Sequence, residues 1–76
     1  MNERVRQILS LALEMPEHQI SEALSAEQAS NWDSIHHLNL VMALEEAFGV
    51  SFSSDELGQL TSYRAIANAL AQRGIA

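Results

Sequence analysis

The feature that most constrains the fold is the stretch from Asp33 to Phe48, which predicts one long helix. Asp33 suits the N-cap, because a carboxylate there accepts hydrogen bonds from backbone N–H groups that the helix leaves unpaired. Gly49 suits the position after the last turn, where a left-handed backbone often ends a helix. Ser34 then lies in the first turn, at the positive end of the helix dipole, where a phosphate is electrostatically favoured.

The apolar residues of this helix fall on two stripes. The first stripe has the spacing of a single buried face and comprises His37, Leu40, Val41, Leu44 and Phe48. The second stripe starts beside Ser34 and comprises Ile35, Leu38 and Met42. If the second stripe is core, the first loop or a short third helix has to cover it. A small domain rarely buries both stripes, so we expect the second to face partners, with Ile35 and Met42 at least partly exposed.

A second helix is predicted before this one, with a long connection between them. It begins near Asn2 or Glu3, and Pro16 stops it because proline lacks a backbone donor. The connection covers residues 17–32, and residues 25–28 resemble a capping box that favours one helical turn. Loops this long usually carry function or local structure. Two apolar residues are spaced to pack this loop against the core, Ile20 and Leu24.

Two more helices are predicted after Gly49. Residues 54–57 carry the capping and acidic signals of a brief helix, and Thr61 or Ser62 caps a last helix that ends at Gly74. The buried stripe of the last helix is expected to comprise Tyr63, Ile66, Ala67 and Leu70. The fold class is therefore all-α: a small bundle of three main helices and one short helix, with a long first loop, in a single domain over residues 1–76.

Composition narrows the function. The 76 residues contain no cysteine, which excludes disulfides and thiolate metal sites, and the formal net charge is −6 with four arginines as the basic residues. A chain without a basic stripe is poorly suited to bind nucleic acid. No apolar run is long enough to span a bilayer and no signal-peptide pattern is present, so we expect a soluble cytoplasmic protein. An acidic surface suits partners with basic patches, although it also simply keeps a small protein soluble.

Three segments carry a family resemblance: Asp33-Ser34-Ile35, residues 40–46 (Leu-Val-Met-Ala-Leu-Glu-Glu) and residues 48–50 (Phe-Gly-Val). Together they resemble the acyl carrier proteins and their peptidyl and aminoacyl relatives, and the likeness extends from about Val5 to Leu70. The resemblance implies that Ser34 bears 4′-phosphopantetheine in phosphodiester linkage, and that the arm holds an acyl or aminoacyl group as a thioester. Asp33 would help a transferase to hold its metal or to orient the serine hydroxyl, although capping alone would explain it.

The resemblance also implies how partners bind. The helix after Ser34 is the recognition helix of that family, and the expected partner-binding residues are Ile35, His36, Leu38, Asn39, Met42, Glu45 and Glu46. The expected partners are a phosphopantetheinyl transferase, an adenylating enzyme that loads the acyl or aminoacyl group, and a condensing or transfer enzyme downstream. The pathway would be fatty-acid, polyketide or nonribosomal-peptide biosynthesis. The carrier is expected to be a stand-alone monomer and not an enzyme.

Two residues depart from the usual fatty-acid pattern. Positions 36 and 39, often acidic in fatty-acid carriers, are His36 and Asn39, so the head of the helix has less negative charge and His36 can titrate near neutral pH. This favours a dedicated carrier with its own loading enzyme. Trp32 before the Asp-Ser pair is shared with D-alanyl carriers and some natural-product carriers. Its ring is expected to pack partly buried against the helix or, alternatively, to border the prosthetic arm.

Catalytic and metal sites are weaker interpretations of the same residues. A triad of Ser34, His36 or His37, and Asp33 is poorly disposed, because residues one to three apart on a helix point to different sides. A metal site built from His18, His36 and His37 suffers from the same divergence, since adjacent histidines splay apart. The main alternative to a carrier is an interaction module with this fold and no prosthetic group. A DNA-binding helix-turn-helix is disfavoured by charge.

The sequence does not decide whether the bundle encloses the cargo. Four apolar residues after the long helix either pack as plain core or line a space that sequesters a fatty chain: Val50, Phe52, Leu57 and Ile66. Plain packing is the simpler interpretation unless the cargo is long.

Overall fold

The computed structural model describes residues 2–75, which form a small helical bundle. Its α-helices are α1 (Glu3–Leu13), α2 (Ser34–Phe48), α3 (Ser54–Leu57) and α4 (Tyr63–Gln72). A 3-10 turn at Glu17–Gln19 lies in the first loop, which we define as residues 14–33. No strand is present within residues 2–75, where one isolated bridge joins Ser25 of the first loop to Ser62 before α4. The predicted all-α fold, with three longer helices and one short one, is confirmed.

Helix α1 begins where the sequence predicts and ends earlier than expected. The Asn2 side chain accepts hydrogen bonds from the backbone N–H groups of Arg4 and Val5 and so caps the helix. The helix ends at Leu13, where Glu14 adopts a left-handed conformation with φ of 55°. Asn31 Nδ2 donates to the Leu13 carbonyl at 3.0 Å, which satisfies one of the acceptors left open at the helix end.

The core lies between α1, α2 and α4, because each contributes one apolar stripe. The largest fully buried side chains are Val5, Leu9, Leu13, Leu40, Leu44, Leu60, Ile66 and Leu70. In α4 the predicted stripe is correct at Tyr63, Ile66 and Leu70. Ala69 is buried there, and Ala67 is only half-buried. Burial of this set is the main source of stability, at about 25 cal/mol per Å² of apolar surface removed from water.

The first loop is ordered by both apolar and backbone contacts, as its predicted anchors Ile20 and Leu24 suggest. Both are buried in the core. Backbone hydrogen bonds tie the loop to the segment before α4: Ala26 N–H donates to the Thr61 carbonyl at 2.8 Å, and Tyr63 N–H donates to the Leu24 carbonyl at 3.0 Å. The whole loop between α1 and α2 therefore packs as part of the bundle.

Arg73 fastens the end of α4 to α3. Its Nη2 donates to both carboxylate oxygens of Glu56, at 2.7 and 2.6 Å, and its guanidinium lies 4.6 Å from the Phe52 ring centroid. The pKa of Glu56 is lowered from its ordinary value, first by this Arg73 hydrogen bond. Glu56 also completes a capping box with Ser53, the N-cap of α3. The short helix is thus held by polar contacts at both ends.

Candidate functional site

Ser34 is the first residue of α2 and is exposed to solvent. The N-cap before it, Asp33, accepts a hydrogen bond from the His36 backbone N–H at 2.9 Å, as the sequence predicts. Fifteen residues of aligned peptide dipoles follow, so the end of the helix that carries the serine hydroxyl has a partial positive charge. A phosphodiester on this hydroxyl is therefore placed where the backbone favours negative charge.

Asp33 takes part in a short chain of polar contacts across the head of α2. His36 Nδ1 lies 2.8 Å from Asp33 Oδ1, and His36 Nε2 lies 2.8 Å from Glu14 Oε2 at the end of α1. The bond to Glu14, followed by that to Asp33, raises the pKa of His36 above its ordinary 6.5. The His36 backbone N–H, followed by its ring, holds the pKa of Asp33 below 3.8. A protonated His36 offsets the carboxylate charge beside Ser34.

A shallow groove of about 350 Å³ opens beside the serine. Its volume is at the lower end of the range of small-molecule sites, roughly 300–1,000 Å³. It is formed where the first loop, the head of α2 and the segment before α4 meet. The residues that line it are Ala26, Trp32, Asp33, Ser34, His37 and Thr61. Ser34 is thus a wall residue of the groove as well as the start of a helix.

Trp32 and His37 form the polar and aromatic part of that lining. Trp32 Nε1 donates to His37 Nδ1 at 2.9 Å, and His37 Nε2 lies 2.7 Å from the carbonyl oxygen of Leu57. An indole nitrogen can only donate and a carbonyl can only accept, so His37 is the neutral tautomer with its proton on Nε2. Trp32 is 8% exposed. The ring is buried, as the packing interpretation expects, and its edge also borders the groove.

The second apolar stripe of α2 faces solvent. Ile35 is 72% exposed, Leu38 is 55% exposed and Met42 is 58% exposed. The three residues follow Ser34 along the helix as the second stripe. The sequence prediction of partial exposure for Ile35 and Met42 is confirmed, and Leu38 joins them. Among the described residues, the large apolar side chains that are exposed are these three and Leu11 on α1.

The polar residues expected to bind partners differ in what they contact. Asn39 and Glu46 are exposed on α2, whereas Glu45 is half-buried. The Glu45 carboxylate accepts a hydrogen bond from the Phe52 backbone N–H at 2.8 Å, so it also holds the loop after α2 in place. His36 is half-buried between Asp33 and Glu14. Of the charged residues on this helix, Glu46 is the one most open to a partner's cation.

The two histidines of α2 diverge, as adjacent helix positions require. Both ring nitrogens of His36 contact carboxylates, and both of His37 contact Trp32 and Leu57. Neither ring is therefore aimed at the Ser34 hydroxyl as a general base would be. Within residues 2–75 no three histidine, aspartate or glutamate side chains converge as metal ligands do. None of the helices in that range has the length and apolar content that a bilayer span needs.

Sequence reasoning missed two contacts at this site. The bonds from His36 to Glu14 and from His37 to Leu57 join residues 22 and 20 positions apart. Neither pair shows in local periodicity or capping patterns, because it depends on how α1 and α3 pack against α2. The histidines themselves were the available signal, since a half-buried ring needs partners for its nitrogens.

Comparison with known proteins agrees with the geometry. The model of a family described as a phosphopantetheine attachment site matches residues 3–70, which is most of the chain. No curated protein matches the sequence.

Proposed function

The chain belongs to the phosphopantetheine attachment site family, and on that premise we propose that Ser34 is the residue that carries the 4′-phosphopantetheine. The single observation that supports this most is the position of the hydroxyl. It is exposed, it lies at the N-terminus of a 15-residue helix, and it borders a groove. When bound, the group supplies a thiol that holds an acyl or aminoacyl cargo as a thioester.

The residues around Ser34 suit an attached phosphodiester. The N-terminus of α2 offers a favourable dipole, and the exposed hydroxyl is accessible to the active site of a separate transferase. Asp33 points its carboxylate at the His36 N–H and ring, so its negative charge is partly balanced within the chain. That contact lessens the repulsion between Asp33 and a phosphate one residue away. Asp33 also remains near enough to assist the metal or hydroxyl of the transferase reaction.

The chain's own contribution to the work of a carrier is presentation. The exposed stripe of Ile35, Leu38 and Met42 begins next to the attachment residue, so a partner that packs on it is brought close to the arm. Apolar contact of this kind supplies affinity. His36, Asn39, Glu45 and Glu46 surround the stripe and supply polar contacts, and the net charge of −6 steers partners that carry basic patches.

The reactions themselves belong to the partners. A phosphopantetheinyl transferase attaches the arm, an adenylating enzyme loads the cargo, and a condensing or transfer enzyme takes it away. Tethering raises the local concentration of cargo at each partner without any catalytic group on the carrier. The orientation of His36 and His37 toward other partners supports this non-catalytic role.

Attachment is tested by intact mass. The purified protein is incubated with coenzyme A, Mg²⁺ and a broad-specificity phosphopantetheinyl transferase. The wild type should gain the mass of one phosphopantetheine, and Ser34→Ala should gain none. Ser54→Ala is the matched control, because Ser54 is also an exposed serine at the first position of a helix. If Ser34→Ala gains the mass, or if a folded wild type gains none even with its cognate transferase, the proposal is wrong.

A further inference from the structure

Two residues that line the groove beside Ser34, Trp32 and His37, are tied to each other by a hydrogen bond. The hydrogen bonds continue from the Trp32 indole through the His37 imidazole to the Leu57 carbonyl, and Leu57 lies outside the groove lining. His37 belongs to α2 and Leu57 is the last residue of α3, so this chain of bonds spans the gap between two helices and the first loop. A group that passes from Ser34 into the bundle between α2 and α3 has to separate these partners.

The interior behind this barrier is densely packed. Four side chains of this region are fully buried: Leu40 and Leu44 of α2, Leu60, and Ile66 of α4. Val50, Phe52 and Leu57 are half-buried and pack against that cluster. These contacts support the plain-packing interpretation of the same apolar residues. A close-packed interior admits an added chain only by displacing side chains.

From this arrangement, and resting on the proposed function, we propose that the arm and its cargo lie along the surface groove against Trp32 and His37 and do not enter the bundle. The class of cargo that fits is a short acyl or aminoacyl group, since a long alkyl chain would gain no shelter there. Because Ser34 itself lines the groove, an arm attached to it begins inside this site.

The lining of the groove suits the chemistry of such an arm. Trp32 and Ala26 offer apolar surface for methyl groups, and the exposed Thr61 and Asp33 offer polar groups at the same site. Pantetheine alternates apolar carbons with amides and a hydroxyl, so a mixed surface matches it better than a purely apolar one.

Trp32 is the only tryptophan in the chain, so its fluorescence reports on this groove. The holo, acetyl and octanoyl forms are prepared by transfer from coenzyme A, acetyl-coenzyme A and octanoyl-coenzyme A. Intact mass confirms each product. The holo form should show less acrylamide quenching of Trp32 than the apo form. In methyl spectra, all three modified forms should shift Ala26 and Thr61 and leave Leu44 and Ile66 unchanged.

Two results would overturn the inference. One is a shift of the Leu44 and Ile66 methyl signals on octanoylation of the wild type, which would place the chain inside the bundle. The other is equal quenching of Trp32 in the apo and holo forms together with unchanged Ala26 and Thr61 signals. If intact mass shows no attachment, the proposed function itself has failed, whereas attachment without contact at the groove rejects only this inference.

A variant tests whether His37 is the barrier. His37→Ala removes both hydrogen bonds and the ring, so octanoylation should now shift the Ile66 methyl signal while acetylation does not. Unchanged Ile66 in a folded His37→Ala protein would contradict the role given to this residue. The wild-type measurement decides the position of the cargo even if the variant does not fold.

Discussion

The two faces of α2 have similar apolar content and opposite surroundings. Leu40, Val41 and Leu44 are buried in the core, whereas Ile35, Leu38 and Met42 are each more than half exposed. A surface helix that only has to fold needs one apolar stripe. The second stripe is not required for the core, and it begins beside the exposed Ser34. One apolar face of α2 therefore belongs to the core, and the other is exposed and is the surface that we propose for partner binding.

The sharpest test of this difference is the same substitution on each face. Leu44→Ala removes a fully buried side chain and should lower the free energy of unfolding by about 2–5 kcal/mol. Leu38→Ala removes a side chain that is 55% exposed and should change it by less than about 0.5 kcal/mol. Urea unfolding followed by circular dichroism measures both. Equal losses would show that the faces do not differ as the structure indicates.

The exposed face should lose binding instead of stability. Met42→Gln keeps the length and helix propensity of the side chain and removes its apolar end. We expect binding to a phosphopantetheinyl transferase to weaken by about 1 kcal/mol, or roughly fivefold, with unfolding unchanged. Calorimetric titration gives the affinity. Leu11→Gln on α1 is the control, since Leu11 is 82% exposed and lies away from Ser34 along the chain. An equal loss for Leu11→Gln would argue against a dedicated surface on α2.

The smallest expected effect is on the pH dependence of stability, and it comes from His36 in the first turn of α2. Glu14 and Asp33 raise the pKa of His36, so the folded chain binds this proton more tightly than the unfolded chain does. The resulting stability is present below the ordinary value of 6.5 and is lost as pH rises through the raised value. His36→Gln cannot titrate. The difference in melting temperature between wild type and variant should therefore shrink between about pH 5 and about pH 8. A difference independent of pH would contradict the proton-linked contact.

Much of the fold follows from local sequence signals. The caps at Asn2, Asp33 and Ser62, and the left-handed Gly49, are read from residue types whose conformational preferences are strong. The apolar spacing of α2 predicts burial correctly for Leu40, Val41 and Leu44, whereas His37 and Phe48 of the same predicted stripe are half-buried. The early end of α1 is not predicted by the sequence. It depends on Glu14 adopting a left-handed backbone conformation, which glutamate seldom adopts. Contacts from Asn31 and His36 accompany that conformation.

At the candidate site, the local features are predicted by the sequence and the long-range contacts are not. Ser34 and its cap are consecutive residues at a helix start, so both position and environment follow from the sequence. The barrier of Trp32, His37 and Leu57 depends on three elements that pack together. Glu45 is predicted to face partners, and its half-buried carboxylate also accepts a hydrogen bond from the Phe52 backbone, which the sequence does not show. Long-range polar contacts of this kind become visible only once the helices are placed.

We propose that partner enzymes bind to the exposed face of α2 beside Ser34. The most direct measurement is a methyl-labelled titration of the protein with a phosphopantetheinyl transferase in the absence of coenzyme A. The methyl signals of Ile35, Leu38 and Met42 should shift on binding, and those of Leu40 and Leu44 should not. Shifts confined to Leu11 on α1 or to residues of α4, with the three exposed α2 methyls unchanged, would contradict the claim.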